Sequence, residues 1–419
     1  MNFFEKAIYD VVKANPKLKA GMVSVYQSMF ALVPFARLQS ISPVIVRDGY
    51  FFGFHDKCPW SVGNEYLLSH RILTGNRVVR QGDEVEVGFF SGDNWQNFNV
   101  ISRTQSWDWQ LGAMLQWVSQ NQLLFNAFEE GQYQAKIFNI LNSETQSLKH
   151  PIVAVSTDGK NGISYDFDRL HVAMPGYGYA CRGANRRWTD NDYPDSGILY
   201  NVDLISGNSR RLFTIDDIRN ITPEPSMDNA FHFFHHPLFC PGSKRFVFFH
   251  RWVRNWNQRY TRMFSCALDG SDLYCFPTDG MVSHIGWKDA SHILAYARVE
   301  GEDGYYLFKD RSDSLTRIGQ ESFNSDGHPQ YSPEELLLID TYPDRYRMQY
   351  LAVYDAEKRS RKNIIRTRLP SKFRKQLKVD LHPRWSRDGL SVCFDSGHSG
   401  VRSLCTMQLP KDYETCVLQ

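Results

Sequence analysis

A strand-turn-strand unit recurs seven times in these 419 residues, and four consecutive copies carry a histidine at one register. The four read His236-Pro-Leu-Phe-Cys240, His284-Ile-Gly-Trp-Lys288, His328-Pro-Gln-Tyr-Ser332 and His382-Pro-Arg-Trp-Ser386. In each, an aromatic stands three residues after the histidine, followed by a turn and an apolar run such as 246–249 or 336–339. Three earlier copies, around Trp60, Trp117 and Val155, lack the histidine. Repeats of this size and pattern predict an all-β chain folded as a seven-bladed β-propeller, a single closed unit over residues 41–419. No sustained helical periodicity appears beyond the N-terminus.

Residues 1–40 read differently. Phe3, Phe4, Ala7, Ile8, Val11 and Val12 follow helical spacing, which Asn15-Pro16 ends. The stretch from Gly21 to Leu38 is interrupted by Gln27 and Ser28, too short and broken for a transmembrane span. The expectation is a short N-terminal helical extension capping the propeller, with a membrane-surface anchor as the alternative. No convincing export signal is evident, which points to a cytoplasmic protein, with peripheral membrane association as the second option. The chain is expected to be a monomer or a small homo-oligomer. A net charge of +2 gives no electrostatic case for nucleic acid. The basic runs at 359–368 and 372–378 read as solvated loops. Eight cysteines without CxxC spacing read as reduced thiols.

Side chains two apart on a strand share a face. The recurring histidines stand four residues before the turn, so positions six before it lie beside them. There the chain has Asp326, Asp380 and, in the first repeat, His55. First strands of neighbouring blades line a central channel, so these groups are expected to converge at one channel end. The second strand returns antiparallel. It is expected to bring His250-Arg251 towards His236, Arg298 towards His284, the Tyr342–Arg345 turn towards His328, and Asp395 and His398 towards His382. Imidazole and carboxylate donors suit a divalent metal, zinc or manganese first and calcium third. His70, His150, His171 and His292 stand alone and read as structural. The loop from Met174 to Arg182 interleaves glycine with Tyr177 and Tyr179, and reads equally as a sugar-binding loop or a self-packed one.

These segments resemble the β-propeller polysaccharide lyases of the oligogalacturonate lyase and ulvan lyase type. The resemblance rests on Gly53-Phe-His-Asp-Lys-Cys-Pro-Trp60, Met114-Leu-Gln-Trp117, Pro175-Gly-Tyr-Gly-Tyr179, His235-His-Pro237 and Phe248-Phe-His-Arg-Trp252. It extends through Ser325-Asp-Gly-His-Pro329, Asp340-Thr-Tyr-Pro-Asp344, Asp380-Leu-His-Pro-Arg-Trp385 and Phe394-Asp-Ser396. It implies an enzyme cleaving an acidic polysaccharide or oligosaccharide beside a uronic acid by β-elimination. It also implies a metal site at His284, His328 and His382 with Asp380, although Asp380 stands where oligogalacturonate lyases carry the first histidine of a His-x-His pair.

Abstracting the C5 proton of a uronate requires its carboxylate to be neutralised and a base within reach. The implied catalytic set is His250 as base, Tyr342 as acid or base, and Arg251, Arg347 and His236 as carboxylate neutralisers. His55, Tyr177, Tyr179, Arg182, Arg298 and Arg345 are the expected substrate contacts. Two readings compete. A glycoside hydrolase would use Asp326 and Asp380 as its carboxylate pair. A non-catalytic propeller would only bind the glycan.

Overall fold

The computed structural model describes residues 37–180, 197–254 and 258–419. Within them lie seven antiparallel sheets, one for each repeat, arranged as a seven-bladed propeller. Blades 1 to 7 take their strands from residues 50–104, 116–148, 154–214, 231–275, 282–318, 330–368 and 384–408. The first strand of each blade faces the axis, and the following strands step outward in sequence order.

The ring closes through its own beginning. Val44–Asp48 pairs antiparallel with Ser403–Gln408, from Val44 opposite Met407 to Asp48 opposite Ser403, as the outermost strand of blade 7. Just before it, Leu38–Ser40 adds a fifth strand to the edge of blade 6. Residues 38–40 therefore belong to the propeller sheets, while the helical spacing at residues 3–12 lies outside the described residues. Among the described residues, no helix is long and apolar enough to cross a membrane.

The repeated aromatic has a structural task. Trp117 of blade 2 donates its indole N–H to Pro59 O of blade 1 at 2.9 Å, and Trp287 of blade 5 does the same to Leu238 O of blade 4 at 3.2 Å. Each indole buries its ring between two sheets and satisfies its one donor on the neighbouring blade. Apolar residues of facing sheets fill the wedges between blades, for example Val247, Phe249, Ile285, Ile293 and Phe308.

Blade 1 departs from the pattern at the axis. Its first strand is Tyr50–Phe51, and pairing resumes only at the Trp60–Leu67 bridge. The intervening chain turns inward at Gly53, whose φ of +116° is left-handed and whose missing Cβ would stand 3.0 Å from the Leu111 carbonyl. Asp395 of blade 7 holds the crossing, accepting from Phe52 N and Gly53 N at 3.0 Å each. Arg384 adds hydrogen bonds to the Gly53 and Phe54 carbonyls. Phe54 and His55 are thereby fixed on the axis.

Candidate active site at one end of the channel

The repeated histidines meet around Phe54. Its ring centroid lies 4.8 Å from His55, 5.0 Å from His236, 6.1 Å from His284, 5.9 Å from His328 and 5.1 Å from His382. Neighbouring imidazoles are close, at 4.2 Å between His284 and His328 and 4.4 Å between His328 and His382. All five histidines are buried. Two of them, His236 (φ 51°) and His382 (φ 43°), adopt left-handed backbone conformations that side-chain-bearing residues rarely take. At His236 the strand is bulged, with its register shifting between His235 and Leu238. Such a bulge re-aims a side chain.

Carboxylates orient the rings. His328 Nδ1–H donates to Asp340 Oδ1 at 2.8 Å and Oδ2 at 3.0 Å. The same carboxylate accepts from the backbone N–H of His328 (2.8 Å) and of His382 (3.1 Å). Asp340 thus places the ring proton on Nδ1 and leaves the His328 Nε2 lone pair facing inward. Asp326, six residues before its turn as expected, reaches back to blade 5, where His284 Nδ1–H donates to it at 3.0 Å. Burial pushes His55, His236 and His382 well below the usual imidazole range, so all three are neutral at neutral pH. For His328 burial acts in the same direction, but the Asp340 charge outweighs it and the shift is upward.

Three donors converge tightly enough for an ion. One ligand atom each from His328, Asp380 and His382 lies within 4.8 Å of the others. His328 Nε2 and both ring nitrogens of His382 are buried without a hydrogen-bond partner. Buried polar atoms are ordinarily paired, so orphaned, inward-facing lone pairs fit a divalent ion. The donor set of two imidazoles and one carboxylate suits zinc or manganese and is poor for calcium, which takes oxygen ligands. His284 stands beside this group but outside the converging three, its Nδ1 occupied by Asp326.

Cations and a phenol flank the histidines. Lys378 Nζ donates to Asp380 Oδ2 at 2.5 Å and lies 5.5 Å from the ring centroids of both Tyr177 and Tyr342. Burial alone would lower the Lys378 pKa, yet Asp380 and Tyr177 raise it overall. The Tyr342 side chain borders solvent on one side, and its phenol, with the ring 5.7 Å from His328 by centroid, is pushed above its usual range by partial burial first and Asp380 next. The Arg251 guanidinium is buried over Phe249, hydrogen-bonded to Met174 Sδ and to the Val282 and Ser283 carbonyls. Burial, with Arg259 nearby, pulls its pKa down to about 9. His235 adds a buried imidazole between His236 and Tyr177.

Several expected site residues lie elsewhere. His250 is on the opposite face of its strand from Phe249 and Arg251. Its Nδ1 accepts from Arg262 Nη2 (3.2 Å), its Nε2–H donates to His232 Nδ1 (3.0 Å), and His232 Nε2–H donates to Met227 O (3.0 Å). This closed chain leaves His250 no free lone pair and sets it apart from the histidines around Phe54. Arg347 binds the carbonyls of Leu369, Pro370 and Phe373, holding the link into blade 7. Tyr179 is core, stacked on Phe167 with its hydroxyl accepting from Asn126. Arg298 pairs with Asp303 on the surface at 2.7 Å, and Arg345 stacks on Tyr346. His398 Nδ1 and Ser396 Oγ share a hydrogen bond of 2.8 Å, and Asp395 accepts from the Phe52–Gly53 crossing. Arg182 lies outside the described residues. Among the histidines read as structural, His70 accepts from Ala113 N and stacks on Phe51. Asp340, Lys378, Phe54 and His235 belong to the site without having been singled out. The Lys378-Val-Asp380 spacing was the available signal for Lys378, since residues two apart on an extended segment share a side.

No family model and no curated protein matches this sequence. Its fold does match solved structures. An oligogalacturonate lyase from Vibrio parahaemolyticus superposes with a TM-score of 0.58 at 12% identity, over 90% of this chain and 94% of that one. An oligogalacturonate lyase in complex with manganese gives 0.59 at 13% identity with the same coverage. At such identities the likeness is one of fold: a seven-bladed propeller built like those lyases.

Proposed function

We propose that the protein is a carbon–oxygen lyase that cleaves a uronate-containing acidic oligosaccharide or polysaccharide by β-elimination. The observation that carries this reading is the gathering of neutral imidazoles, a buried and a part-exposed cation and a phenol at one end of the channel. The fold likeness to oligogalacturonate lyases supports it.

The chemistry divides among this chain's residues. Arg251 and Lys378 neutralise the uronate carboxylate, which makes the C5 proton removable. His236 has both ring nitrogens unpaired and is neutral, so it can take that proton. Tyr342 keeps its proton well past neutral pH and can give it to the leaving glycosidic oxygen. Tyr177 and His55 border the same space. A divalent ion bound by His328, His382 and Asp380 would supply Lewis-acid polarisation of the carboxylate. Hydrolysis is less well served. Asp326 and Asp380 are both held below the usual carboxylate range, by His284 and Lys378 respectively against burial, so neither keeps the proton a general acid needs.

The test is incubation with oligogalacturonate and other uronate glycans, read by the ultraviolet absorbance of the unsaturated product. Replacing His236 with Ala should lower the rate by about 10²–10⁴-fold while the fold remains. A saturated product carrying oxygen from labelled water would make the protein a hydrolase. Binding without any product would make it a glycan-binding propeller.

A further inference from the structure

Asp380 is where two cations are called for at once. Its Oδ2 accepts from the Lys378 ammonium at 2.5 Å, and the same oxygen lies 3.9 Å from His382 Nε2. The carboxylate is buried and is one of the three groups whose donor atoms converge. An ion held by His328 and His382 draws on the charge that Lys378 already neutralises. Two positive charges on one buried carboxylate repel strongly, because little water screens them.

The Lys378 backbone is held independently of its ammonium. The carbonyl is anchored, accepting from Gln110 Nε2 at 3.0 Å and Arg402 Nη2 at 2.7 Å, so the segment stays fixed whatever the side chain does. The ammonium has two aromatic faces within reach, Tyr177 and Tyr342, each 5.5 Å from Nζ. Tyr342 is also one of the exposed large side chains of the molecule, so this position borders solvent.

Resting on the ion-site and acidic-glycan reading above, we infer that Lys378 and a divalent ion compete for Asp380, and that an acidic ligand tightens ion binding by drawing Lys378 away. Linkage makes the effect reciprocal: the ion frees Lys378 for the ligand as much as the ligand frees Asp380 for the ion.

Calorimetric titration of the full chain with Mn²⁺, after chelator treatment, tests this on the wild type, Lys378→Met and Lys378→Arg, with and without digalacturonate. Melting curves of each protein confirm that it is folded. Lys378→Met should bind Mn²⁺ about tenfold more tightly than wild type, and Lys378→Arg about as wild type does. Digalacturonate should tighten Mn²⁺ binding to the wild type by about fivefold or more, and Lys378→Met by clearly less, since only the direct contact of ion and carboxylate remains there. Equal or weaker Mn²⁺ binding by Lys378→Met overturns the competition. A digalacturonate effect that is absent from the wild type, or as large in Lys378→Met as in the wild type, overturns the link to the acidic ligand. If no folded form takes up Mn²⁺, the ion-site reading itself falls, and the inference with it.

Discussion

Asp340 serves four hydrogen bonds with two oxygens, and the geometry of the converging donors follows from it. It fixes the His328 tautomer through the ring and anchors the backbones of His328 and His382. A carboxylate behind a ligating imidazole sets its orientation and raises its basicity. Asp340→Asn presents an amide N–H₂ to groups that are all donors, so at least one contact turns repulsive. Mn²⁺ affinity, measured by calorimetry, should fall about 10–100-fold, with a smaller change in melting temperature than in affinity. Backbone conformation at the same scale points the same way. His236 and His382 hold left-handed φ values that cost on the order of 1–3 kcal/mol each, and such residues concentrate where geometry serves a site.

At the scale of strands, the alternation of 245–254 decides what each residue can do. Phe249 and Arg251 turn to the face shared with His236, whereas Phe248, His250 and Trp252 turn to the other. The repeat register was readable in the sequence because four units repeat one histidine at a fixed distance from a recognisable turn. The face of the second strand was not, because it depends on pairing register, and the bulge between His235 and Leu238 is invisible to spacing. A slip of one residue exchanges the faces. His250 thus lies near the site along the chain yet belongs to the Arg262–His250–His232–Met227 relay. Its replacement by Ala leaves donors and acceptors unpaired in a buried space and should cost about 2–4 kcal/mol in chemical denaturation. Mn²⁺ binding and cleavage should persist. Burial holds His250 neutral, well below its usual range. The unfolded chain takes up that proton near pH 6.5, so the wild type loses stability as pH falls below this value, and the variant should lose less. Loss of cleavage at unchanged stability would return His250 to the catalytic set. Lys378 was hidden for another reason: it ends a basic run that reads as solvent-facing, and only the carboxylate two residues on draws it inward.

Across the whole molecule, integrity depends on the strand Val44–Asp48. Arg47 is its rivet. Its guanidinium donates to Asn94 O at 2.5 Å and Trp95 O at 2.9 Å in blade 1, and to Thr406 Oγ1 at 3.0 Å in blade 7. Arg47→Ala orphans these acceptors across the closing seam and should lower unfolding stability by about 1–3 kcal/mol. Hydrogen exchange in Ser403–Gln408 should accelerate more than in the blade 2 strand Gln122–Glu129. If exchange rises equally everywhere, the seam is not a separate weak point. The seven-bladed architecture was legible in advance. The use of 38–40 as a strand of blade 6 was not, since three residues carry too little pattern to reveal which distant edge they complete.

The ring closure also fixes an order in time. Asp340 and His328 come from blade 6, Asp380 and His382 from blade 7, and Phe54 from the stretch that follows the closing strand. The residues that gather at the axis therefore come from blades 1, 4, 5, 6 and 7, and are made far apart in time. A nascent chain has Phe54 and His55 long before it has His382, and the converging donors come together only once blades 6 and 7 have met. Uptake of an ion then becomes a report that synthesis has passed residue 382: a chain interrupted before it has neither the converging donors nor the chemistry proposed for them.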